Sequence, residues 1–229
     1  MRLKTRTVLL CTLLAVGLLT GCGQSNPPAD SSAGESVCSI PDEMRQKLTE
    51  IAEQKPVAVP AEGWTDESLL DVIYLNGTKM QMPFSLQDLG EDFGMLTGEN
   101  YYLSGTSNAG ENRSLATITY YGKRCGVAGI REILTQEAFK AKELSFIAFY
   151  KYPEEDTPEL FPISVNGVTI GTSYADMTAR LGWTVEKDAE DPNTSGNSFS
   201  VIGYTETYYL KVMGQDAAVI SIAFGYKDQ

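Results

Sequence analysis

Two stretches of the chain carry the same local pattern, and this internal repeat limits the possible folds more than any other feature. Ser85 to Gly94 aligns without gaps on Ser173 to Gly182, and both read Ser-x-x-Asp, apolar, three residues, apolar, glycine. A serine followed three residues later by an acid predicts a capped helix start, because the two side chains satisfy free backbone N–H groups. A glycine after the last apolar position predicts the left-handed residue that ends a helix. Each copy is therefore expected to contain one short, capped helix.

An Asn-Gly pair precedes each predicted helix. Asn76-Gly77 follows the strand-like run 72–75, and Asn166-Gly167 follows the run 163–165. Both residue types tolerate the positive φ that a type I′ turn requires. Each pair therefore predicts a β-hairpin.

Strand-like runs follow each predicted helix. They cover residues 101–103, 115–121, 125–133 and 144–150 in the first copy, and 199–204, 208–213 and 218–226 in the second. Residues 134–143 are expected to be a helical or looped insertion in the first copy, while both copies end on Ile-Ala-Phe, at 147–149 and 222–224. The sequence therefore predicts an α+β fold of two tandem repeats, each with a hairpin, a short capped helix and antiparallel strands.

The N-terminus has the features of a signal peptide that ends at a lipid-attachment site. Cations within residues 2–6 precede an apolar run, residues 8–19, that is too short to span a bilayer. Leu19-Thr20-Gly21-Cys22 resembles a bacterial lipobox. The resemblance implies cleavage between Gly21 and Cys22 and an extracytoplasmic protein held on the cell membrane by lipid on Cys22. The alternative is an ordinary signal peptide in which the cysteine occurs by chance.

Composition divides the chain after the signal peptide, residues 1–21. The segments are a flexible tether (22–39), an N-terminal amphipathic helix with its connection (40–63), repeat 1 (64–152), an acidic linker (153–161) and repeat 2 (162–229). Within the helix, Met44, Leu48 and Ile51 fall at helical spacing. We expect this stripe to pack on the core of the main domain; the alternative is a helix that binds a partner.

Charge and composition exclude several functions. The formal net charge of −12 argues against a nucleic-acid partner, which requires clustered cations. The chain contains no histidine, which removes Ser-His-Asp and Cys-His catalysis and the usual zinc ligand. No cofactor is predicted. A carboxylate-based hydrolase stays the less favoured alternative, with acids at Glu91, Asp92, Glu154, Glu155 and Asp156.

Two further patterns leave alternatives open. Outside the cytoplasm Cys38 and Cys125 are free to form a disulfide, but two separate thiols fit the sequence equally well. Asp191, Asn193 and Ser195 alternate as in the first half of a calcium loop. Because the bidentate glutamate of such a loop is missing, a polar hairpin loop is the favoured interpretation and no metal site is predicted.

The second copy, from Val165 to Met177, and the run Cys125-Gly126-Val127-Ala128-Gly129-Ile130 resemble a group of lipoproteins from Gram-positive, gut-type bacteria. The repeat of that group is similar to the β-lactamase-inhibitor-protein fold. The resemblance implies two repeats that form a curved antiparallel sheet with the helices on one face. In the inhibitor, the open face of the sheet binds a protein. No contact residue carries over, because the matching positions belong to the scaffold.

Tyrosines on the predicted strands give the best basis for a binding function. They are Tyr101, Tyr102, Tyr120, Tyr121, Tyr204, Tyr208 and Tyr209. In a Tyr-Tyr pair on a strand, one ring points to each side of the sheet, and exposed tyrosines are common at recognition surfaces. The sequence therefore favours a membrane-anchored, non-catalytic module that binds a protein, peptide or glycan partner. The alternative is a structural or assembly role in the cell envelope.

Overall fold

Four α-helices and eleven strands lie in the part of the chain that the computed structural model describes, residues 39–152, 157–183 and 198–227. The helices are α1 (Asp42–Glu53), α2 (Asp66–Leu70), α3 (Gln136–Ala141) and α4 (Tyr174–Leu181), and a 3-10 helix covers Gln87–Leu89. The strands are β1 (Ile73–Leu75), β2 (Thr78–Lys79), β3 (Phe93–Met95), β4 (Tyr102–Thr106), β5 (Asn112–Tyr120), β6 (Lys123–Ile130), β7 (Phe146–Tyr150), β8 (Ile163–Val165), β9 (Ser198–Tyr204), β10 (Tyr208–Gln215) and β11 (Ala218–Tyr226). The predicted α+β class is confirmed.

The strands form two antiparallel sheets. The larger sheet has eight strands in the order β3-β5-β6-β7-β11-β10-β9, with β4 also paired to β5. The smaller sheet has the order β2-β1-β8. Two meanders, β5-β6-β7 and β9-β10-β11, thus meet where β7 pairs with β11.

The β7–β11 and β1–β8 contacts share a regular register. Ala148 lies opposite Ala223, with Ile147 opposite Phe224 and Phe149 opposite Ile222. In the small sheet, Tyr74 lies opposite Ser164 at the centre of the β1–β8 pair. Each contact therefore joins the chain before the acidic linker to the chain after it.

Both Asn-Gly turns form, but only the first joins two strands as predicted, since Val165 and Val168 make an isolated bridge across the second. Asn76 and Asn166 have φ of 51° and 50°, and the glycines that follow have φ of 71° and 78°. Each asparagine side chain also reaches a second element. Asn76 Nδ2 donates to Asp92 Oδ2 at 2.9 Å, and Asn166 Nδ2 donates to the Arg180 carbonyl at 2.6 Å. Each asparagine therefore bonds near the end of the segment that Ser85 or Ser173 begins.

The predicted cap is confirmed for α4, whereas the helix predicted in the first copy is a single 3-10 turn that begins after the equivalent serine bond. Ser85 Oγ accepts from the Asp88 backbone N–H at 3.3 Å, and Ser173 Oγ accepts from that of Asp176 at 3.1 Å. Gly182 ends α4 with φ of 71°. In the first copy, however, Gly90 stops the 3-10 helix with φ of 90°, and Gly94 lies in β3. The earlier glycine has no counterpart in the second copy, which explains the difference.

One hydrophobic core joins the helices to the larger sheet. The helices contribute Leu48, Leu69, Phe139, Met177 and Leu181, and the strands contribute residues such as Ile118, Phe149, Leu210 and Phe224. Leu48 and Ile51 of α1 are buried and Met44 is half-buried, so the α1 stripe packs on the core as expected. The capped helix α2, which begins after Thr65, was not expected from the pattern. The opposite side of the larger sheet faces away from this core.

Candidate functional site

The side chains of the larger sheet that point away from the core form a second surface, here called the open face. Its members follow from the strand registers. One row of facing residues crosses seven strands and consists of Leu103, Leu115, Gly129, Phe146, Gly225, Tyr209 and Tyr204. The next row consists of Thr117, Val127, Ala148, Ala223, Lys211 and Ile202.

The open face concentrates the exposed hydrophobic surface of the described residues. Seven large hydrophobic side chains are exposed among the described residues, and five of them belong to the open face. These five have exposed fractions between 38% and 58%: Tyr101, Leu103, Ile202, Tyr204 and Met213. Single exposed apolar side chains are common, but a contiguous group of them marks an interaction surface. The open face is therefore the candidate functional site.

Side-chain size gives the open face a trough. The central strands β7 and β11 present the small residues Ala148, Ala223 and Gly225, with Phe146 and Tyr150 before and after Ala148 on β7. Larger residues stand on the outer strands. Tyr101 and Leu103 form one wall at β4, and Ile202 and Tyr204 form the other at β9. The floor of the trough is thus recessed between two aromatic and aliphatic walls.

Phe146 interrupts the floor near one end. A Cβ on Gly129 would lie 2.1 Å from the Phe146 ring, so the ring rests directly on the Gly129 backbone. Gly225 is equally restricted, since its Cβ would lie 2.6 Å from the Phe146 Cβ. A groove of about 710 Å³ opens beside this ring and is lined also by Arg113, Leu115 and Tyr209. Two glycines therefore create the space that this ring occupies.

Arg124 lies within a cluster of tyrosines on the open face. Its guanidinium carbon is 3.9 Å from the centroid of the Tyr152 ring and 5.7 Å from that of Tyr101. The Tyr150 and Tyr152 rings are in contact, with centroids 4.5 Å apart. Burial raises the pKa of the Tyr152 hydroxyl, so this group is neutral at physiological pH. The cluster therefore places a guanidinium group among aromatic rings on this face.

The seven tyrosines predicted as a binding surface divide between the two faces. Tyr101, Tyr204 and Tyr209 lie on the open face. Tyr102 packs on Phe139 and Tyr208 on Phe224, which places both against the core. Their assignment to an exposed face is corrected, because each takes the inward position of its Tyr-Tyr pair.

The remaining pair lies at the β5–β6 turn. Tyr120 is fully buried, and its hydroxyl donates to Asn76 Oδ1 at 2.9 Å. Its assignment to a binding surface is therefore wrong, because it joins the core to the Asn76 turn. Tyr121 has φ of 47° and packs edge-on against Tyr120. Burial, and then the neighbouring Asp92 carboxylate, raises the pKa of Tyr121 to about 12.

The predicted binding surface contained only tyrosines, so it omitted several other residues of the open face. Ile202 lies two residues before Tyr204 on the same strand, so alternation alone would have placed it on the same side. Leu103 is related to Tyr101 in the same way. Phe146 could not have been found, because its neighbours Gly129 and Tyr209 come from distant parts of the chain.

The cysteine and carboxylate candidates that the structure describes lie away from the open face. Cys125 is a free, fully buried thiol whose Sγ lies 3.6 Å from the Ile118 carbonyl oxygen, and burial raises its pKa. Cys38, the other half of the candidate disulfide, lies outside the described residues. Asp92 accepts a hydrogen bond from Asn76, while Glu91 lines a cleft beside α3. Neither carboxylate of this pair points to the open face.

Some candidates fall outside the described residues. These are the lipobox with Gly21 and Cys22, the linker acids Glu154, Glu155 and Asp156, and the loop with Asp191, Asn193 and Ser195. In the part of the chain that is described, no group of three or more histidine, cysteine, aspartate and glutamate side chains is arranged to hold a metal ion. No described helix has the length and apolar character needed to cross a membrane.

Comparison of the chain with protein-family models, curated proteins and solved structures gives no match.

Proposed function

We propose that this chain is an extracytoplasmic lipoprotein that acts as a non-catalytic binding module, with the open face as its docking surface. The observation that carries the proposal is the concentration of exposed hydrophobic side chains there, five of seven among the described residues. Burying such side chains against a partner is favourable by about 25 cal/mol for each Å² removed from water. Tyrosine adds a polar tip that suits protein, peptide and glycan partners.

Attachment to the membrane through Cys22 is the second part of the proposal. It is supported by the charged start, the short apolar run and the lipobox-like residues Leu19 to Cys22. More than one acyl chain is needed for durable anchoring. Replacing Cys22 by alanine is expected to move the protein from the membrane fraction to the soluble fraction. Retention of the C22A variant in washed membranes would contradict the lipid anchor.

The tandem-repeat architecture is the third part, and the strand registers support it. Residues 147–149 and 222–224 have the same sequence and pair with each other in antiparallel register around Ala148 and Ala223. The Asn76 backbone N–H donates to the Pro162 carbonyl at 2.8 Å, and that of Asn166 donates to the Val72 carbonyl at 2.8 Å. Equivalent residues thus make equivalent bonds, as expected of two copies related by an approximate two-fold axis.

The docking surface is tested by crosslinking in intact cells followed by recovery of the protein. We expect the double variant Leu103→Ser and Tyr204→Ser to lose its crosslinked partner. The matched control is Val57→Ser, because Val57 is 56% exposed, close to the 58% of Leu103, and lies outside the larger sheet. Equal recovery from the double variant and the control would contradict the open face as the docking surface. It would favour the alternative of a structural or assembly role.

A further inference from the structure

The strands of the protein differ in charge from the rest of the chain. The chain has 30 aspartates and glutamates against 18 lysines and arginines, yet none of the eleven described strands contains an aspartate or glutamate. Strands disfavour aspartate and, to a lesser degree, glutamate and lysine. Even so, Arg113, Arg124 and Lys211 occupy positions on the open face. Local strand preference contributes to the absence of acids, and the cations that remain give these strands a net positive charge.

A cation lies beside each wall of the trough, on the neighbouring strand. Arg113 lies on β5, two residues from Leu115, and Lys211 lies on β10 opposite Ile202 of β9. The nearest described acids in sequence lie beyond the strand ends, with Glu111 before β5 and Glu206 and Asp216 on either side of β10. Glu111 also lines the groove beside Phe146, together with Arg113 and Arg131. Charges of one sign in a partly enclosed surface attract a partner of the opposite sign. The strands of the open face thus carry cations and no acid, in a molecule that is acidic as a whole.

The shape of the open face separates two kinds of acidic partner. The backbones of β5 and β10 are four strand spacings apart, about 19 Å at ~4.8 Å per spacing. A helix with side chains is about 10–12 Å across and fits between the walls. A flat bilayer surface would contact the walls but not the recessed floor formed by Ala148 and Ala223. The trough therefore favours a polypeptide over anionic lipid headgroups.

We propose that the open face binds an acidic polypeptide segment, whose carboxylates pair with Arg113 and Lys211 while its apolar side chains contact the walls. The proposal rests on the docking surface proposed above and specifies the chemistry of the partner. Arg113 and Lys211 lie on opposite sides of the trough, so a segment seated there can meet both. The aromatic and aliphatic walls supply the contact area, and the cations select a partner by charge.

The test places a photo-crosslinking phenylalanine analogue at Tyr204 of the full-length chain in intact cells. This position is 57% exposed on one wall, so a seated partner lies within reach of it. The crosslinked segment is identified by mass spectrometry. The yield is compared with that of the variant carrying Arg113→Glu and Lys211→Glu. The control carries Lys55→Glu and Lys140→Glu, which make the same charge change at exposed positions outside the strands.

The expected result is a crosslinked polypeptide segment rich in aspartate and glutamate. Its yield should fall at least tenfold in the open-face variant and stay within twofold in the control. A segment without acids, a crosslink to lipid, or an unchanged yield after charge reversal would overturn the acidic partner while leaving the docking surface in place. Absence of any crosslink would contradict the docking surface itself. If the double glutamate variant does not fold, Arg113→Gln with Lys211→Gln replaces it, and the same comparison applies.

Discussion

At the scale of single residues, the Asn166 side chain connects parts of the chain that the local sequence around it does not indicate. Its side chain accepts from the Val57 backbone N–H at 2.7 Å and donates to the Val57 carbonyl at 2.9 Å and to the Arg180 carbonyl. The Asn-Gly dipeptide predicts the turn, since positive φ is a local preference. It could not predict the two partners, because Val57 lies 109 residues away.

Replacing Asn166 separates these two roles. Asn166→Gly keeps the positive φ but removes all three side-chain hydrogen bonds, and we expect it to lower the free energy of unfolding by about 2–4 kcal/mol. Asn166→Ala should cost about 1–2 kcal/mol more, because alanine is strained at φ of 50°. Urea unfolding of both variants measures the difference. Equal stabilities would show that the turn conformation contributes nothing measurable.

The buried tyrosines predict a loss of stability at high pH. Burial raises the pKa values of Tyr120, Tyr152 and Tyr226, and that of Tyr121 to about 12. In the unfolded chain a tyrosine titrates near pH 10, so unfolding releases protons between the two values. The stabilisation is therefore complete below about pH 10 and is lost as the pH rises towards 12. Melting temperatures at pH 9, 10 and 11, together with absorbance at 295 nm, measure it; a constant melting temperature would refute it.

At the scale of elements, the two capped segments show how one residue changes a helix. Both begin with the same serine and aspartate arrangement, but Gly90 ends the first after a single 3-10 turn, while α4 continues to Leu181. The residues after Gly90 then form β3 along β5. The cap was predictable because it depends on four neighbouring residues. The early end is not predictable from the pattern, since glycine is tolerated inside many helices.

Ser173→Ala is expected to destabilise α4 and with it the protein. The change removes the acceptor of the Asp176 backbone N–H and the hydroxyl that donates to Asp176 Oδ2 at 2.7 Å. Loss of such a cap costs about 1 kcal/mol. Ser173→Thr keeps the hydroxyl and is the control. Thermal unfolding of the two variants should differ by a few degrees, and identical melting temperatures would show that the cap is dispensable.

Local patterns predict which side of a strand faces the core, but they do not predict which strands pair with each other. Alternation along 115–120 assigns Ala116, Ile118 and Tyr120 to one side, and all three are fully buried. The same alternation would have removed Tyr120 from the binding surface. The rows across the open face depend on which strands pair and in which register. Those contacts join distant residues such as Phe146 and Gly225, and local patterns contain no information about them.

At the scale of the whole molecule, the parts before and after the acidic linker are held together at several places. β7 pairs with β11 and β1 pairs with β8. The Trp64 indole N–H donates to the Leu181 carbonyl at 2.9 Å, which connects the first half of the chain to α4. The sequence divides the chain into two similar parts, and their mutual pairing is what makes a single core.

Unfolding is therefore expected to occur in one cooperative step. Buried Trp64 reports on the contact with α4, and far-ultraviolet circular dichroism reports on the sheets. Because β7 and β11 lie side by side in the centre of one sheet, losing either part exposes the core of the other. The two signals should give the same midpoint in urea. Separate midpoints would show that the two parts unfold independently.

At the β7–β11 contact, two strands with the same Ile-Ala-Phe sequence pair with each other. This identity affects how separate molecules can associate. Two separate copies of β7 would pair in the same antiparallel manner, with Ala148 opposite Ala148 of the second molecule. Within one chain the contact is independent of protein concentration, because the connection keeps the strands at a high effective concentration. During refolding at high protein concentration, this advantage shrinks, and oligomers joined by β7–β7 pairing become the expected by-product.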